Sequence, residues 1–145
     1  LNQVVDRVRE AIRQMRALAL LDTVTYLVKG GRLGKAVSAI SAIEPLLHVK
    51  LLLTLRNGEL CPAGLARTRR KGIDRLLKLV RSASHIDDLA IVHSTTPDDA
   101  QTLANHISSL LLTAVPRIAR LGPALGVHAG PGVLIAVLRE AKQTD

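Results

Sequence analysis

Aromatic side chains are almost missing from these 145 residues: there is one Tyr, no Phe and no Trp. A core must then be assembled from Leu, Val, Ile and Ala. RNA-binding modules that stack bases on aromatic platforms are disfavoured too, because Tyr26 alone cannot make one. Cysteine occurs once, at Cys61, so no internal disulfide can form, which suits a reducing compartment. No signal peptide is visible, and the expected location is cytoplasmic. Asp, Glu, Lys and Arg are missing altogether from residues 121–138, a stretch long enough to be mistaken for a membrane span. Gly122, Pro123, Gly126, Gly130, Pro131 and Gly132 interrupt it, and that density of breakers fits turns and short strands. No membrane span is expected.

What the chain does have is apolar bulk and basic charge. At 48% hydrophobic and 22% charged residues it can bury a sizeable core, and its length fits a single domain over 1–145. Twenty Lys and Arg against twelve Asp and Glu leave a formal charge of +8. The excess is local. Residues 67–81 hold seven bases (Arg67, Arg69, Arg70, Lys71, Arg75, Lys78 and Arg81) and one acid, Asp74, and so supply +6 of it. Such a patch implies an acidic partner at one place: a phosphate, an acidic protein surface or nucleic acid. The plainer reading is a solvated helix face.

Val4, Val5, Val8, Ala11, Ile12 and Met15 recur at helical spacing and predict an amphipathic helix over 3–16. Residues 17–22 read as a strand. A short helix follows over 23–29, with Thr23 as candidate N-cap and Gly30 and Gly31 as its stop, then a second over 35–43 ended by Pro45. Strands 49–55 and 59–64 flank Asn57-Gly58, a dipeptide suited to the positive φ angles of a tight hairpin. In the basic segment Ile73, Leu76, Leu77 and Val80 form the inner stripe of a helix, and Lys71, Arg75 and Lys78 an outer one. Residues 89–94 read as a buried strand. Thr96-Pro97-Asp98-Asp99 then opens a helix with a capping hydroxyl, a first-turn proline and two acids favoured by the dipole. Its core face is Ala100, Leu103, Ala104, Ile107, Leu110 and Leu111. Residues 113–119 and 133–138 are the last strands. With about six strands, a hairpin and a strand–helix–strand passage, the expected class is α/β (α+β). That is a two-layer domain with a mixed sheet and helices mainly on one face.

Two glycine-rich elements invite chemistry. Gly30-Gly31-Arg32-Leu33-Gly34-Lys35-Ala36 lacks the upstream glycine and the hydroxyl after Gly-Lys that a P-loop needs, since Lys29 and Ala36 stand there. Its turns can still hold Arg32 in place, and a guanidinium grips a carboxylate or phosphate with two parallel bonds; a plain helix cap is the simpler alternative. Gly126-Val127-His128-Ala129-Gly130-Pro131-Gly132 can turn successive N–H groups inward as an anion-binding nest, with His128 as a further donor. His48, His85, His93 and His106 show no metal-ligand spacing, so no metal site is expected. No G-x-S-x-G elbow occurs, and Cys61 has no C-x-x-C partner.

Four motifs stand in one order: Asp22-Thr23-Val24-Thr25-Tyr26-Leu27-Val28-Lys29-Gly30-Gly31-Arg32-Leu33-Gly34-Lys35-Ala36; Arg67-Thr68-Arg69-Arg70-Lys71; Ile91-Val92-His93 with Pro97-Asp98-Asp99-Ala100; and His128-Ala129-Gly130-Pro131-Gly132. That series resembles the DegV family of fatty-acid-binding proteins over residues 17–139. The family's counterparts are D-T-L-x-Y-L-x-x-G-G-R-I-G-K-A, R-x-R-K-K-A, a strand-to-helix step and H-T-G-P-G. Two departures stand out: Ala129 replaces the usual Thr, removing a hydroxyl, and Val49-Lys50-Leu51 replaces I-K-P.

The resemblance implies more than the residues do. Family members have two domains, and this chain looks like the second; the N-terminal domain, with its S-S-x-L-S-G-T-type loop, has no counterpart here. It implies a long-chain fatty acid as ligand, with its carboxylate in the cleft between domains near Arg32, His128, Ala129 and Gly130. No other cofactor is implied. It also implies a binding protein rather than an enzyme, partnered by its own N-terminal domain and by a fatty acid kinase that makes the acyl phosphate. Arg67, Arg69 and Arg70 match the basic segment implicated in docking that kinase. Two other readings compete. One is a basic nucleic-acid-binding module using the 67–81 helix, whose affinity would fall steeply with salt. The other is an acyl-handling enzyme with His128 as general base, for which the chain offers no evident nucleophile.

Overall fold

Alternate residues of the central strands carry the aliphatic side chains that a core without aromatics requires, and their registers bring them together. The computed structural model describes residues 2–29, 49–56, 58–83, 85–109 and 115–140. In chain order these form α1 (Asn2–Gln14), β1 (Met15–Leu21), α2 (Thr25–Lys29), β2 (Lys50–Arg56), β3 (Glu59–Ala66), α3 (Arg69–Arg81), β4 (Ile86–His93), α4 (Pro97–Ser108), β5 (Arg117–Arg120), α5 (Pro123–Ala129) and β6 (Leu134–Glu140). The strands lie in the order β3-β2-β1-β6-β4-β5. Neighbours are antiparallel except β4 and β5, which the α4 crossover makes parallel. This is the mixed six-stranded α/β sheet that the sequence predicts.

Register builds the core row by row. Leu20 faces Leu52 on one side and Leu134 on the other, and Leu134 in turn faces His93. Leu18 and Leu20, Leu134, Ala136 and Leu138, and Leu89 and Ile91 share one face of the sheet under α3 and α4. The stripe predicted for α3 is the observed one: Leu76 and Val80 are fully buried, Ile73 and Leu77 partly, while Lys71, Arg75 and Lys78 face solvent. On α4, Ala100, Leu103, Ala104 and Ile107 are buried as predicted, whereas Leu110 and Leu111 lie outside the described residues. A second, smaller cluster forms on the other face from Leu21, Leu51, Leu53 and Val133, with Leu27 of α2 and Ala129 of α5 packed in.

Four local expectations need correction or restriction. The helix over the first residues forms but buries nothing: Val4, Val5, Val8 and Ile12 are 39–62% exposed. The Thr23 hydroxyl accepts from the Thr25 N–H at 3.2 Å and closes a turn ahead of α2 instead of capping it. β5 starts at Arg117, since Pro116 has no N–H to give a ladder, and residues 113–114 of the predicted strand lie outside the described residues. Residues 123–129, read as turns, are helical. Pro123 presets the first position, and the Gly126 and Gly130 N–H groups bond back to Gly122 and Gly126 carbonyls at 2.9 and 2.8 Å. Helix 35–43 and Asn57 of the hairpin lie outside the described residues. Beyond Asn57 the hairpin is as read, with Arg56 opposite Glu59 and Gly58 at φ 81°. Among the described residues, no helix is long and apolar enough to cross a membrane.

Leu76 of α3 is fully buried in the main core cluster, so Leu76→Ala should lower the free energy of unfolding by roughly 2–5 kcal/mol. Equilibrium urea unfolding checks this. A shift in midpoint at constant m is the expected result.

Candidate functional site

The row Leu20–Leu134–His93 places the C-terminal ends of β1 and β4 beside the start of β6. Leu21 opposite Leu51 brings the start of β2 to the same edge, and Lys50 opposite Ala66 brings the end of β3 and the approach to α3. Five segments therefore converge at one end of the sheet: the turn after Leu21, Val49-Lys50, Arg67-Thr68-Arg69, Ser94-Thr95-Thr96, and Gly130-Pro131-Gly132.

Arg69 stands at the centre of that end. Its Nε donates to Asp99 Oδ2 at 2.9 Å, its Nη1 to Asp22 Oδ1 at 3.0 Å and to the Gly132 carbonyl, and its Nη2 to Thr96 Oγ1 at 3.1 Å. Lys50 adds a second cation beside Asp22, with Nζ 3.4 Å from Oδ1 and donating to the Asp22 carbonyl at 3.2 Å. Two cations meet two carboxylates, so the cluster is neutral and neither Arg69 nor Lys50 is left to neutralise a ligand. Thr96 was expected to cap α4. Its hydroxyl accepts from Arg69 instead and makes no capping bond.

The same geometry overturns the anion nest. The Gly130 N–H belongs to α5, the Gly132 N–H donates to Thr95 Oγ1 at 3.0 Å, and the Val133 N–H donates to Ser94 Oγ at 3.0 Å. With Pro131 lacking an N–H, the donors of this turn are spent inside the protein. Its two glycines are needed for close approach. Both have positive φ, and a Cβ would lie 2.4 Å from the Tyr26 ring at Gly130 and 2.3 Å from Asp22 Oδ2 at Gly132.

Of the expected site residues, His128, Ala129 and Gly130 end α5 against α2. His128 is half-buried, and among the described residues its ring has no hydrogen-bond partner; Ala129 packs into the second apolar cluster. Arg32 lies outside the described residues. Arg67 and Arg70 are exposed, unlike Arg69 between them, whose side chain is 22% exposed. Arg67, Lys71 and Arg75 line a groove of about 520 Å³ with Val49, Leu65 and Ala66. Asp22, Lys50, Thr95, Thr96 and Asp99 were not read as site residues. The available signal was that Asp22, Asp99 and Gly132 sit in motifs on three different loops, all polar or glycine, each at the end of a strand or the start of a helix. Among the described residues, no three His, Cys, Asp or Glu side chains gather to hold a metal.

The result is an α/β domain whose loops converge on one end of a mixed sheet around an internal ion cluster. The sequence model of the family described as "Uncharacterised protein, DegV family" matches residues 1–140, and the chain belongs to that family. A DegV domain-containing protein of Streptomyces coelicolor is 34% identical over 121 residues, 81% of this chain and 42% of the relative. A fatty acid binding DegV family protein from Streptococcus agalactiae superposes with a TM-score of 0.82 at 26% identity, over 98% of this chain and 50% of that one. The Streptococcus pneumoniae Fatty Acid Kinase (Fak) B3 protein, loaded with linoleic acid, shares the fold at a TM-score of 0.83 and 20% identity, over 97% of this chain and 50% of its own. The chain spans about half the length of the relatives it matches.

The packing of Gly132 on Asp22 can be separated from its backbone strain. Gly58→Ala, with open space around it, should cost only the left-handed penalty of roughly 1–2 kcal/mol. Gly132→Ala must also displace Asp22 and should cost roughly 2–5 kcal/mol. Equal losses in urea unfolding would show that the turn does not press on Asp22.

Proposed function

We propose that this chain is the lipid-binding half of a two-domain carrier that holds a long-chain fatty acid, and that it binds without catalysing. The observation that carries the reading is the superposition, over 98% of the chain, on a DegV family protein that binds fatty acid. The chemistry agrees. Arg69 and Lys50 are neutralised internally, and the family resemblance assigns the carboxylate to Arg32 and His128, with Ala129 and Gly130 beside them. A tail of about fourteen methylenes at ~0.8 kcal/mol each would contribute roughly 10 kcal/mol before ordering costs, so apolar burial dominates affinity and the head group sets direction.

The uncovered stripe of α1 supports an N-terminal domain as partner, since relatives of twice the length have chain available to cover it. Docking of a cytoplasmic fatty acid kinase is assigned to the exposed Arg67 and Arg70, beside the groove that Lys71 and Arg75 line. Arg69 is committed elsewhere. One observation favours a second reading: among the described residues Arg67, Arg70, Lys71, Arg75, Lys78 and Arg81 make no ion pair, a face that would also suit nucleic acid. That reading requires an affinity falling steeply with salt.

Displacement of a fluorescent fatty acid from the full-length protein tests the proposal. Arg32→Ala and His128→Ala should each weaken binding about tenfold, the worth of one shielded charge-assisted bond. Residues 1–145 alone should bind far more weakly than the whole. Nanomolar binding by the isolated chain, or indifference to both substitutions, contradicts it.

A further inference from the structure

We propose that Arg69 is the positioning residue of the head-group site: its guanidinium fixes the Gly130-Pro131-Gly132 turn, and through it His128, against the turn that follows β1. The effect on ligand affinity rests on the fatty-acid reading, whereas the anchoring does not.

Arg69 sits where a local rule is broken. α3 opens with Arg69, Arg70 and Lys71 and has no acid in its first turn, although cations are disfavoured at a helix N-terminus. Thr68 caps the helix normally, accepting from the Lys71 N–H at 3.3 Å, so the backbone is fixed and Arg69 is held at the unfavourable end. What holds it is the convergence of three loops. Asp22 follows β1, Thr96 and Asp99 follow β4, and the Gly132 carbonyl precedes β6; one planar fork reaches all of them. A lysine has one nitrogen and cannot span those acceptors.

The turn is gripped from both sides. Arg69 takes the Gly132 carbonyl, and Thr95 takes the Gly132 N–H. Gly132 has no side chain to hold Asp22 away, and Gly130 lets the Tyr26 ring close on the end of α5. His128 stands two residues before Gly130 on a seven-residue helix, so the place of its ring follows from the place of the turn.

The test uses the full-length protein with Arg69→Lys and, as a milder variant that keeps shape, Asp99→Asn. Amide hydrogen exchange is read at Gly132 and Val133, with Leu103 and Ile107 of α4 as the measure of global opening. Arg69→Lys should speed exchange in the turn by about tenfold or more while Leu103 and Ile107 hold their rates. It should also shift the His128 ring resonances and weaken palmitate binding by about tenfold; Asp99→Asn should act in the same direction, less strongly. Turn rates that stay at wild type, or rise only in step with α4, overturn the assignment. So does a loosened turn with undiminished palmitate affinity. A wild-type protein that takes up no palmitate sinks the fatty-acid reading instead, and exchange alone then decides whether Arg69 anchors the turn.

Discussion

A guanidinium shared among Asp22, Thr96, Asp99 and the Gly132 carbonyl is the interaction on which the functional end of this domain depends. Its magnitude and its purpose differ. A charge-assisted bond contributes roughly 1.5–3 kcal/mol where water is excluded, and less at an edge as open as this one. Fully buried aliphatic side chains such as Leu20, Leu52, Leu76 and Leu134 contribute roughly 1.5–3 kcal/mol each, and the core holds a dozen of them among the described residues. Bulk stability therefore comes from leucine, and the ion cluster decides how the loops are arranged.

Charge bookkeeping separates the arginines by task. Arg69 is neutralised and directional, a structural clip. Arg67 and Arg70, one or two residues away, carry charge that nothing among the described residues offsets, and they stand where another surface can reach them. The uncovered stripe on α1 and the basic face of α3 are thus two different invitations, one apolar and one electrostatic. The proposed function assigns the first to the further chain that relatives twice as long possess, and the second to a separate partner.

The sequence made legible what short-range physics decides. The α3 stripe, the Asn57-Gly58 hairpin, the Pro97 helix start and the parallel crossover all follow from spacing or turn chemistry within a dozen or so residues, and the mixed sheet follows from them. The misreadings lie where tertiary contacts outrank local preference. Thr96 has the features of an N-cap, yet an arginine 27 residues away takes its hydroxyl. Gly126 advertises a turn, yet Pro123 starts a helix that runs through it to Ala129, and the supposed nest spends its N–H groups at home. Arg69 was grouped with its exposed neighbours because composition cannot tell which of several arginines finds carboxylates. The motif resemblance pointed to His128, Ala129 and Gly130, which end α5. Long-range pairing then decided which donors near them are free.

The central claim, that this domain helps hold an acyl chain by its carboxylate, is met most directly by organic extraction and mass spectrometry of the full-length protein purified from cells. The account predicts about one long-chain fatty acid per protein, depleted when Arg32 and His128 are both replaced by Ala. A protein that yields no lipid, or a lipid load indifferent to those two residues, would contradict it.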